Sequence, residues 1–315
     1  MSTNKNLHAA KKAKVDEFYT PYEVVENEME AYLSYNPAVF RDKFVLCPCD
    51  DPQWSNFTRY FVRNFKRLGL RRLVSSCYCG GLDSYAFDPV LSSLNYAFDD
   101  ALRCHGKVLD VDASNIDSLL NLNSYPFVPL QGDGDFRSLE VTAYRDECDF
   151  IITNPPFSLY REFIGWCRVK DRKISLISPL TCVTYKNVFR LIKYASLWGG
   201  CTNISGVKYK MPDGRGVALS NTCWLTNILH CKRFSFLYSV TRDVSSFVKF
   251  DGLDVMEVAS CSKIPLNYDG VMGVPINFLL SYNPDQFELL DVVDWSVSGV
   301  NRFRRVLIKN KFLTK

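Results

Sequence analysis

Four consecutive residues, Asn154-Pro155-Pro156-Phe157, join a side-chain amide, two residues without a backbone donor and a flat ring. Proline holds φ near about −65° and has no amide hydrogen, so this stretch is stiff and its carbonyl oxygens stay available as acceptors. Asn154 adds a side-chain carbonyl. Two acceptors fixed at one spot suit a group with two N–H donors, such as an exocyclic amine on an aromatic ring. Phe157 offers that ring a face. An aromatic amine is a poor nucleophile because its lone pair is delocalised. Acceptors at Asn154 and the Pro155 carbonyl would draw both hydrogens out of the ring plane and leave the lone pair directed at an electrophilic methyl, as on a sulfonium. Those hydrogen bonds strengthen as positive charge builds on nitrogen, which favours the transition state over the ground state. Alignment of nitrogen, methyl carbon and sulfur supplies the rest through proximity. No covalent enzyme intermediate is needed.

Such a loop has to be positioned, and the flanking sequence says by what. Cys148–Thr153 (CDFIIT) is an apolar run that predicts a buried strand ending at Asn154. In open α/β sheets ligands bind outside the carboxyl ends of strands. Upstream, Lys43–Cys47 predicts a strand, Ser55 caps a helix with Phe57, Tyr60, Phe61, Phe65 and Leu68 on one face, Gly69 ends it, and Arg72–Cys77 predicts the next strand. Strand, helix, strand at this spacing is a βαβ unit and predicts a parallel sheet. Further strands are expected at Lys107–Val111 and Lys173–Ser178, and helices at Ser158–Cys167 and Thr184–Ala195. Residues 5–35 read as helical with a break near Tyr19-Thr20-Pro21. Val207–Lys210 and Thr222–Leu229 read as a closing hairpin around the loop MPDGRG. Residues 79–132 are irregular and read as an insertion. From about Cys231 the βα rhythm fades, which places a domain boundary there: residues 1–230 as a catalytic domain, 231–315 as a recognition region.

The chain has 315 residues, 47% hydrophobic and 23% charged, a globular composition that excludes disorder and a disulfide mini-scaffold. No run of about 18 apolar residues occurs, so no membrane span is expected, and the polar, basic first residues do not read as a secretory signal. The twelve cysteines are expected as thiols. The close pairs Cys47/Cys49 and Cys77/Cys79 are C-x-C rather than C-x-x-C and have no supporting His pair, so no metal site is expected. His8, His105 and His230 are too scattered for a His-centred site. The net charge of +4 is small, but basic residues cluster at Lys5–Lys14, Arg63–Arg72 and Arg302–Lys315, separated by an acidic stretch at 251–294. Separate basic patches fit a surface that tracks phosphates; each patch alone also fits a solvated helix face or tail.

Further phrases accompany the proline pair in a fixed order: Asp16–Thr20 (DEFYT), Cys49–Phe57 (CDDPQWSNF), Ser75–Tyr78 (SSCY), Gly132–Ser138 (GDGDFRS), Thr153–Leu159 (TNPPFSL) and Tyr268–Pro275 (YDGVMGVP). Together they resemble the EcoRI modification-methylase family of adenine-specific DNA methyltransferases over most of the chain. The resemblance implies a Rossmann-like, class I S-adenosylmethionine-dependent fold, a mostly parallel sheet with a closing antiparallel strand. It further implies S-adenosylmethionine as methyl donor, N6 of an adenine flipped out of duplex DNA as acceptor, and a role in restriction–modification.

Carried over residue by residue, the resemblance gives Phe18, Tyr19 and Thr20 to the methionine end of the cofactor. It places the loop from Cys47, Pro48, Cys49 and Asp50 to Ser55 at the glycine-rich position, and Ser76 and Cys77 where an acidic residue is usual. Asp135 and Phe136 fall on the cofactor adenine, and Asn154, Pro155, Pro156 and Phe157 form the catalytic loop. The first loop departs from the general methyltransferase pattern in having no glycine, and Ser76-Cys77 departs in having no acid.

Double-stranded DNA is the expected partner, with a restriction endonuclease acting on the same site without contact. A cytoplasmic, nucleoid-associated monomer with no membrane contact is expected. The proline-pair loop also occurs in methyltransferases acting on guanine N2 of RNA or glutamine N5 of proteins, and a silent DNA-binding protein on the same fold is a further alternative. Pro48-Cys49 resembles the nucleophile of cytosine-C5 methyltransferases, but it follows the first strand and not the later catalytic one.

Overall fold

A computed structural model describes residues 20–79, 105–170, 172–210, 216–219, 221–237, 243–297 and 300–312. The expected helix before Pro21, Phe18 and Tyr19 of the amino-terminal motif, the middle of the 79–132 insertion and the loop after Lys210 lie outside the described residues. The chain forms two compact units: residues up to Pro179 with Thr202–Ile228, and Leu180–Cys201 with Leu229–Lys315.

The first unit is built on one sheet. Its strands are β1 (Phe44–Cys47), β2 (Arg72–Cys77), β3 (Lys107–Val111), β4 (Val128–Pro129), β5 (Phe150–Thr153), β6 (Lys173–Pro179) and β10 (Thr222–Thr226), in the order β4-β3-β2-β1-β5-β6-β10. β1 pairs in parallel with β2 and β5, and β5 with β6. These central strands read as continuous apolar runs because both sheet faces are covered; every residue of β1 and β5 is buried.

Helix α1 (Tyr22–Tyr35) starts directly after Pro21. Helix α2 (Asn56–Leu68) starts where Ser55 Oγ accepts from the Phe57 amide at 3.0 Å and ends at Gly69, whose φ of 64° is the left-handed cap a glycine takes without strain. The apolar faces of these two helices, with Met29, Tyr32, Phe57, Phe61 and Phe65, form one core with Val45, Leu73, Phe150, Ile152 and Trp224. Helices α3 (Ile116–Leu119), α4 (Leu139–Glu147) and α5 (Tyr160–Trp166) complete the unit, the last two on either side of β5 in the chain.

Two sequence expectations need correction. The sheet has antiparallel strands at both edges: β10 runs against β6 as the closing strand, but β3 also runs against β2, and β4 against β3. A parallel neighbour requires a crossover that carries the chain back to the starting end. Here Lys107 pairs with Cys77, so β3 begins where β2 finishes and must run the opposite way. The expected hairpin is also different. Val207–Lys210 (β8) pairs with Gly216–Leu219 (β9), while Thr222–Thr226 leaves that ribbon to pair with Ser175–Pro179. The buried side chains of β10, Trp224 included, draw it into the main sheet.

In the second unit, α6 (Lys186–Lys193), the short strand β7 (Trp198–Gly199) and a sheet of β11 (Val255–Glu257), β12 (Val271–Pro275), β14 (Val300–Asn310) and β13 (Phe287–Val297), in that order, pack together. The sequence reading puts Leu180–Cys201 with the residues before it. In the structure this segment groups with the carboxyl-terminal residues: Lys193 Nζ donates to the Leu290 carbonyl at 3.1 Å, and Gly199 lies so close to Leu280 that a Cβ would come within 2.3 Å of its carbonyl oxygen. Arg305 on β14 and Glu257 on β11 form a buried ion pair at 2.8 Å.

Candidate active site

Asn154-Pro155-Pro156-Phe157 leaves the carboxyl end of β5, the position the sequence predicts. Thr153 and Pro155 are buried, and Asn154, Pro156 and Phe157 are half-buried. Phe157 opens a short 3₁₀ turn (Phe157–Leu159) that leads into α5 and packs against the main core. Tyr160 anchors that helix through a 2.6 Å hydrogen bond between its hydroxyl and Ser178 Oγ on β6.

The glycine-free loop after β1 lies beside it. Cys47, Pro48 and Asp50 are buried, and Cys49 is half-buried. Burial pushes the Cys47 thiol well above the ordinary range, with Asp50 adding to the effect, so it is not a nucleophile near neutral pH. The Asp50 carboxyl, 5% exposed, accepts from Ser55 Oγ at 2.7 Å and from Thr153 Oγ1 at 2.5 Å. The backbone amide of Asn154 is a further donor to it. Burial raises this carboxyl to about 7 against the pull of those donors. Main-chain bonds hold the same residue to β2: its amide donates to the Ser76 carbonyl at 2.9 Å, and Ser75 Oγ donates to its carbonyl at 2.8 Å.

β2 delivers Ser76 and Cys77 to the same end of the sheet, and the Gly132–Phe136 turn closes on them. Gly134 has φ 78°, and a Cβ there would stand 2.3 Å from the Cys77 carbonyl oxygen; a Cβ on Gly106 would stand 2.4 Å from Gly134 Cα. Only two glycines allow this backbone-on-backbone approach. The Cys79 amide donates to the Asp133 carbonyl at 2.8 Å and the Gly106 amide to the Gly132 carbonyl at 2.9 Å. The turn thus carries Asp133 and Asp135 to the end of β2, where both raise the Tyr78 hydroxyl's pKa after burial, the larger cause.

Asp135 is held by Arg137, whose amide, Nε and Nη2 donate to it at 2.8, 2.9 and 2.6 Å. This pairing keeps its carboxyl below the usual range. Phe136 is 4% exposed, with its ring edge-on to Phe163 at 5.0 Å and Trp166 at 5.5 Å. The ring packs against α5, and the Arg137 guanidinium stands over it at 5.3 Å.

Thr20 also reaches this neighbourhood. Asn56 Nδ2, at the start of α2, donates to the Thr20 carbonyl at 2.8 Å. Residues distant in sequence (Thr20, the Cys47–Ser55 loop, Ser76, Cys77, Asp135 and Asn154) therefore converge on the carboxyl edge of the parallel strands.

Sequence reasoning missed Lys107. Its ammonium, nearly buried, pairs with Asp51 at 3.0 Å and donates to Gln53 Oε1 at 2.9 Å, with the Phe127 ring at 4.9 Å. The signal was a lysine opening the strand KVLDV ahead of two apolar residues. Its antiparallel register brings it to the loop after β1, a placement no local pattern encodes.

Among the described residues no group of three His, Cys, Asp or Glu is placed to hold a metal ion, and no helix is long and apolar enough to cross a membrane.

Comparison with known proteins agrees with this geometry. The family model for the adenine-specific methyltransferase EcoRI matches residues 6–312. The type II methyltransferase M.EcoRI of Escherichia coli is 38% identical, covering 100% of this chain and 99% of its own. The type II methyltransferase M.MpnI of Mycoplasma pneumoniae is 31% identical over 90% of this chain and 85% of its own. No solved structure matches. A proline-pair loop on a parallel strand, a family model spanning nearly every residue and a full-length relative agree: the chain belongs to the EcoRI family of adenine-specific methyltransferases.

Proposed function

We propose that this protein transfers a methyl group from S-adenosylmethionine to N6 of an adenine flipped out of duplex DNA, as the modification enzyme of a restriction–modification system. The observation that carries the reading is the Asn154-Pro155-Pro156-Phe157 loop at the carboxyl end of β5 in a member of this family. The first unit is read as a Rossmann-like class I methyltransferase fold and the second, with residues 231–315, as the target-recognition region. Duplex DNA is the partner, acted on by a monomer in the cytoplasm, with a cognate endonuclease cutting the same site.

The residues present fit S-adenosylmethionine. Thr20 Oγ1 and Ser76 Oγ are buried hydroxyls without a hydrogen-bond partner among the described residues, in a region where a polar ligand would satisfy them. Asp135, ionised and beside the Gly134 turn, suits the donors of an adenine ring. Thr20, the Cys47–Asp50 loop, Ser76, Cys77 and Asp135 would hold the cofactor, which supplies an electrophilic methyl when bound. Phe136 would act from beneath, by fixing the turn, because its ring is packed into α5.

At the acceptor, Asn154 Oδ1 and the Pro155 carbonyl accept the two amine hydrogens, and the two prolines hold both oxygens in place. The bonds tighten as nitrogen gains positive charge, a contribution of about 3–4 kcal/mol for one such group. A flipped base costs a few kcal/mol in lost stacking and pairing, and contact with Phe157 recovers part of this.

The test offers methyl-labelled S-adenosylmethionine with duplex DNA, tRNA and a protein acceptor side by side, using wild type and Asn154→Ala. Label on adenine N6 of DNA, reduced at least about 100-fold in the variant with an unchanged melting curve, is expected. Label on RNA, on protein or on a ring carbon overturns the reading, as does an active Asn154→Ala. Sequencing DNA from expressing cells with a modification-sensitive method gives base and context together.

A further inference from the structure

We infer that Asp50 is a positioning residue for methyl transfer: its buried carboxylate ties the Asn-Pro-Pro-Phe loop to the loop after β1 and so sets where the Asn154 oxygen stands. The inference rests on the proposed role of Asn154 and goes beyond it, since Asp50 enters the sequence reading only as part of the cofactor loop.

Apart from the bond to Ser55 at the end of its own loop, the bonds of Asp50 cross between chain segments. Oδ1 accepts from Ser55 Oγ at 2.7 Å, and the same Ser55 oxygen caps α2 through the Phe57 amide. Oδ2 accepts from Thr153 Oγ1 at 2.5 Å, and the neighbouring Asn154 amide also donates to the carboxyl group. The Asp50 amide and carbonyl are bonded to Ser76 and Ser75 of β2. The side chain thus joins the carboxyl end of β5 to the first turn of α2, while the backbone of the same residue ties the loop after β1 to β2. Proline cannot donate, so the two residues after Asn154 offer the loop no amide tether of their own. The Asn154 amide and the Thr153 hydroxyl, just before the proline pair, are both turned to Asp50. A carboxylate accepts from three donors at once; a protonated acid or an amide has fewer acceptor sites. The hydroxyls of Ser55 and Thr153 can reverse and accept instead, whereas the Asn154 amide cannot.

Ionised Asp50 therefore holds the loop best, and its carboxyl titrates near neutral pH because burial disfavours the charge. The charged or titratable groups around it are Asp51 and Cys49 on its own loop, Cys47 on β1 and Lys107 on β3, the last paired with Asp51. Thr153, Asn154, Ser55, Ser75 and Ser76, which face it from β5, α2 and β2, carry no titrating group in this range.

The experiment measures steady-state methylation of duplex DNA by the full-length protein and by Asp50→Asn, Asp50→Ala and Thr153→Val, from pH 6 to 9, with cofactor affinity measured separately by calorimetry. Wild type is expected to gain kcat as pH rises through neutrality. Asp50→Ala is expected to lose about 100-fold in kcat, the cost of a loop displaced by about an ångström, and a clearly smaller factor in affinity for S-adenosylmethionine, since Asp50 is one of several residues of the cofactor loop. Asp50→Asn, the same shape with one acceptor oxygen, should recover part of the loss and show no rise through neutrality. Thr153→Val should lose less than Asp50→Ala. If Asp50→Ala does not fold, Asp50→Asn and Thr153→Val carry the test. An Asp50→Asn protein with wild-type kcat and pH profile overturns the inference, as does a loss of kcat matched by an equal loss of cofactor binding. A wild-type protein that methylates no adenine removes the functional reading and this inference with it; an active wild type beside an unaltered Asp50→Asn removes only the inference.

Discussion

Phe136 separates a packing role from a direct ligand contact. Its ring is 4% exposed and stands edge-on to Phe163 at 5.0 Å and Trp166 at 5.5 Å. Truncating a buried phenylalanine costs about 3–5 kcal/mol through lost transfer energy and the cavity left behind, and each aromatic pair contributes about 0.5–1.5 kcal/mol of that kind of total beyond burial. Two such pairs place Phe136→Ala near about 4 kcal/mol. At about 2–4 °C per kcal/mol for a folding unit of this size, the melting temperature should fall by roughly 8–16 °C. Phe136→Leu, which conserves most of the volume, should cost less than about 1.5 kcal/mol. Scanning calorimetry and denaturant titration give the stability; calorimetric titration with S-adenosylmethionine, well below the lowered melting point, gives the affinity. The leucine variant should bind cofactor within about threefold of wild type. If Phe136→Ala melts within about 2 °C of wild type yet binds cofactor tenfold more weakly, the reasoning is refuted, because the ring would then belong to the ligand surface rather than to the packing under it.

Gly134→Ala places a Cβ 2.3 Å from a backbone oxygen at a φ of 78°, so the turn itself must move. A loss of about 2–4 kcal/mol in denaturant titration is expected, and a wild-type midpoint would contradict it. Lys107→Met strips Asp51 of its ammonium partner. Asp51 keeps some contact with water, so the cost should be about 1–3 kcal/mol, below that of a fully buried pair; a Lys107→Met/Asp51→Asn double-mutant cycle showing no coupling would remove the pair from the account. Asp50 makes stability depend on pH in a defined direction. Its folded-state carboxyl, at about 7, lies above its ordinary value of 3.8, so between these limits the native state holds a proton that the unfolded chain has lost. Stability from this group is therefore full below about pH 4 and declines as pH rises to about 7, by up to about 1.4 kcal/mol per pH unit. Wild type minus Asp50→Asn, compared by denaturation at pH 5 and pH 8, should show that decline, and a flat difference would contradict it.

Much of the first unit is legible in the residues because its signals are local. An apolar run bounded by turn residues makes β1 or β5 a strand wherever it is placed, Ser55 and Gly69 bound α2 through bonds to their own neighbours, and the proline pair is stiff by covalent structure alone. The catalytic loop could thus be assigned to a strand end from the sequence itself. Strand direction and partner choice are different in kind, since they depend on where the chain re-enters the sheet. That is why β3 turned out antiparallel and β10 left the expected hairpin for β6. The same holds for side-chain function. The sequence determined that Asp50, Phe136 and Lys107 lie near candidate motifs or strands. Only the packed structure decided that Asp50 points inward at Thr153 and Asn154, that Phe136 packs against Phe163 and Trp166 of α5, and that Lys107 meets Asp51 from another strand. Burial and hydrogen-bond geometry arise from contacts between segments far apart in the chain, and no window of sequence contains both partners.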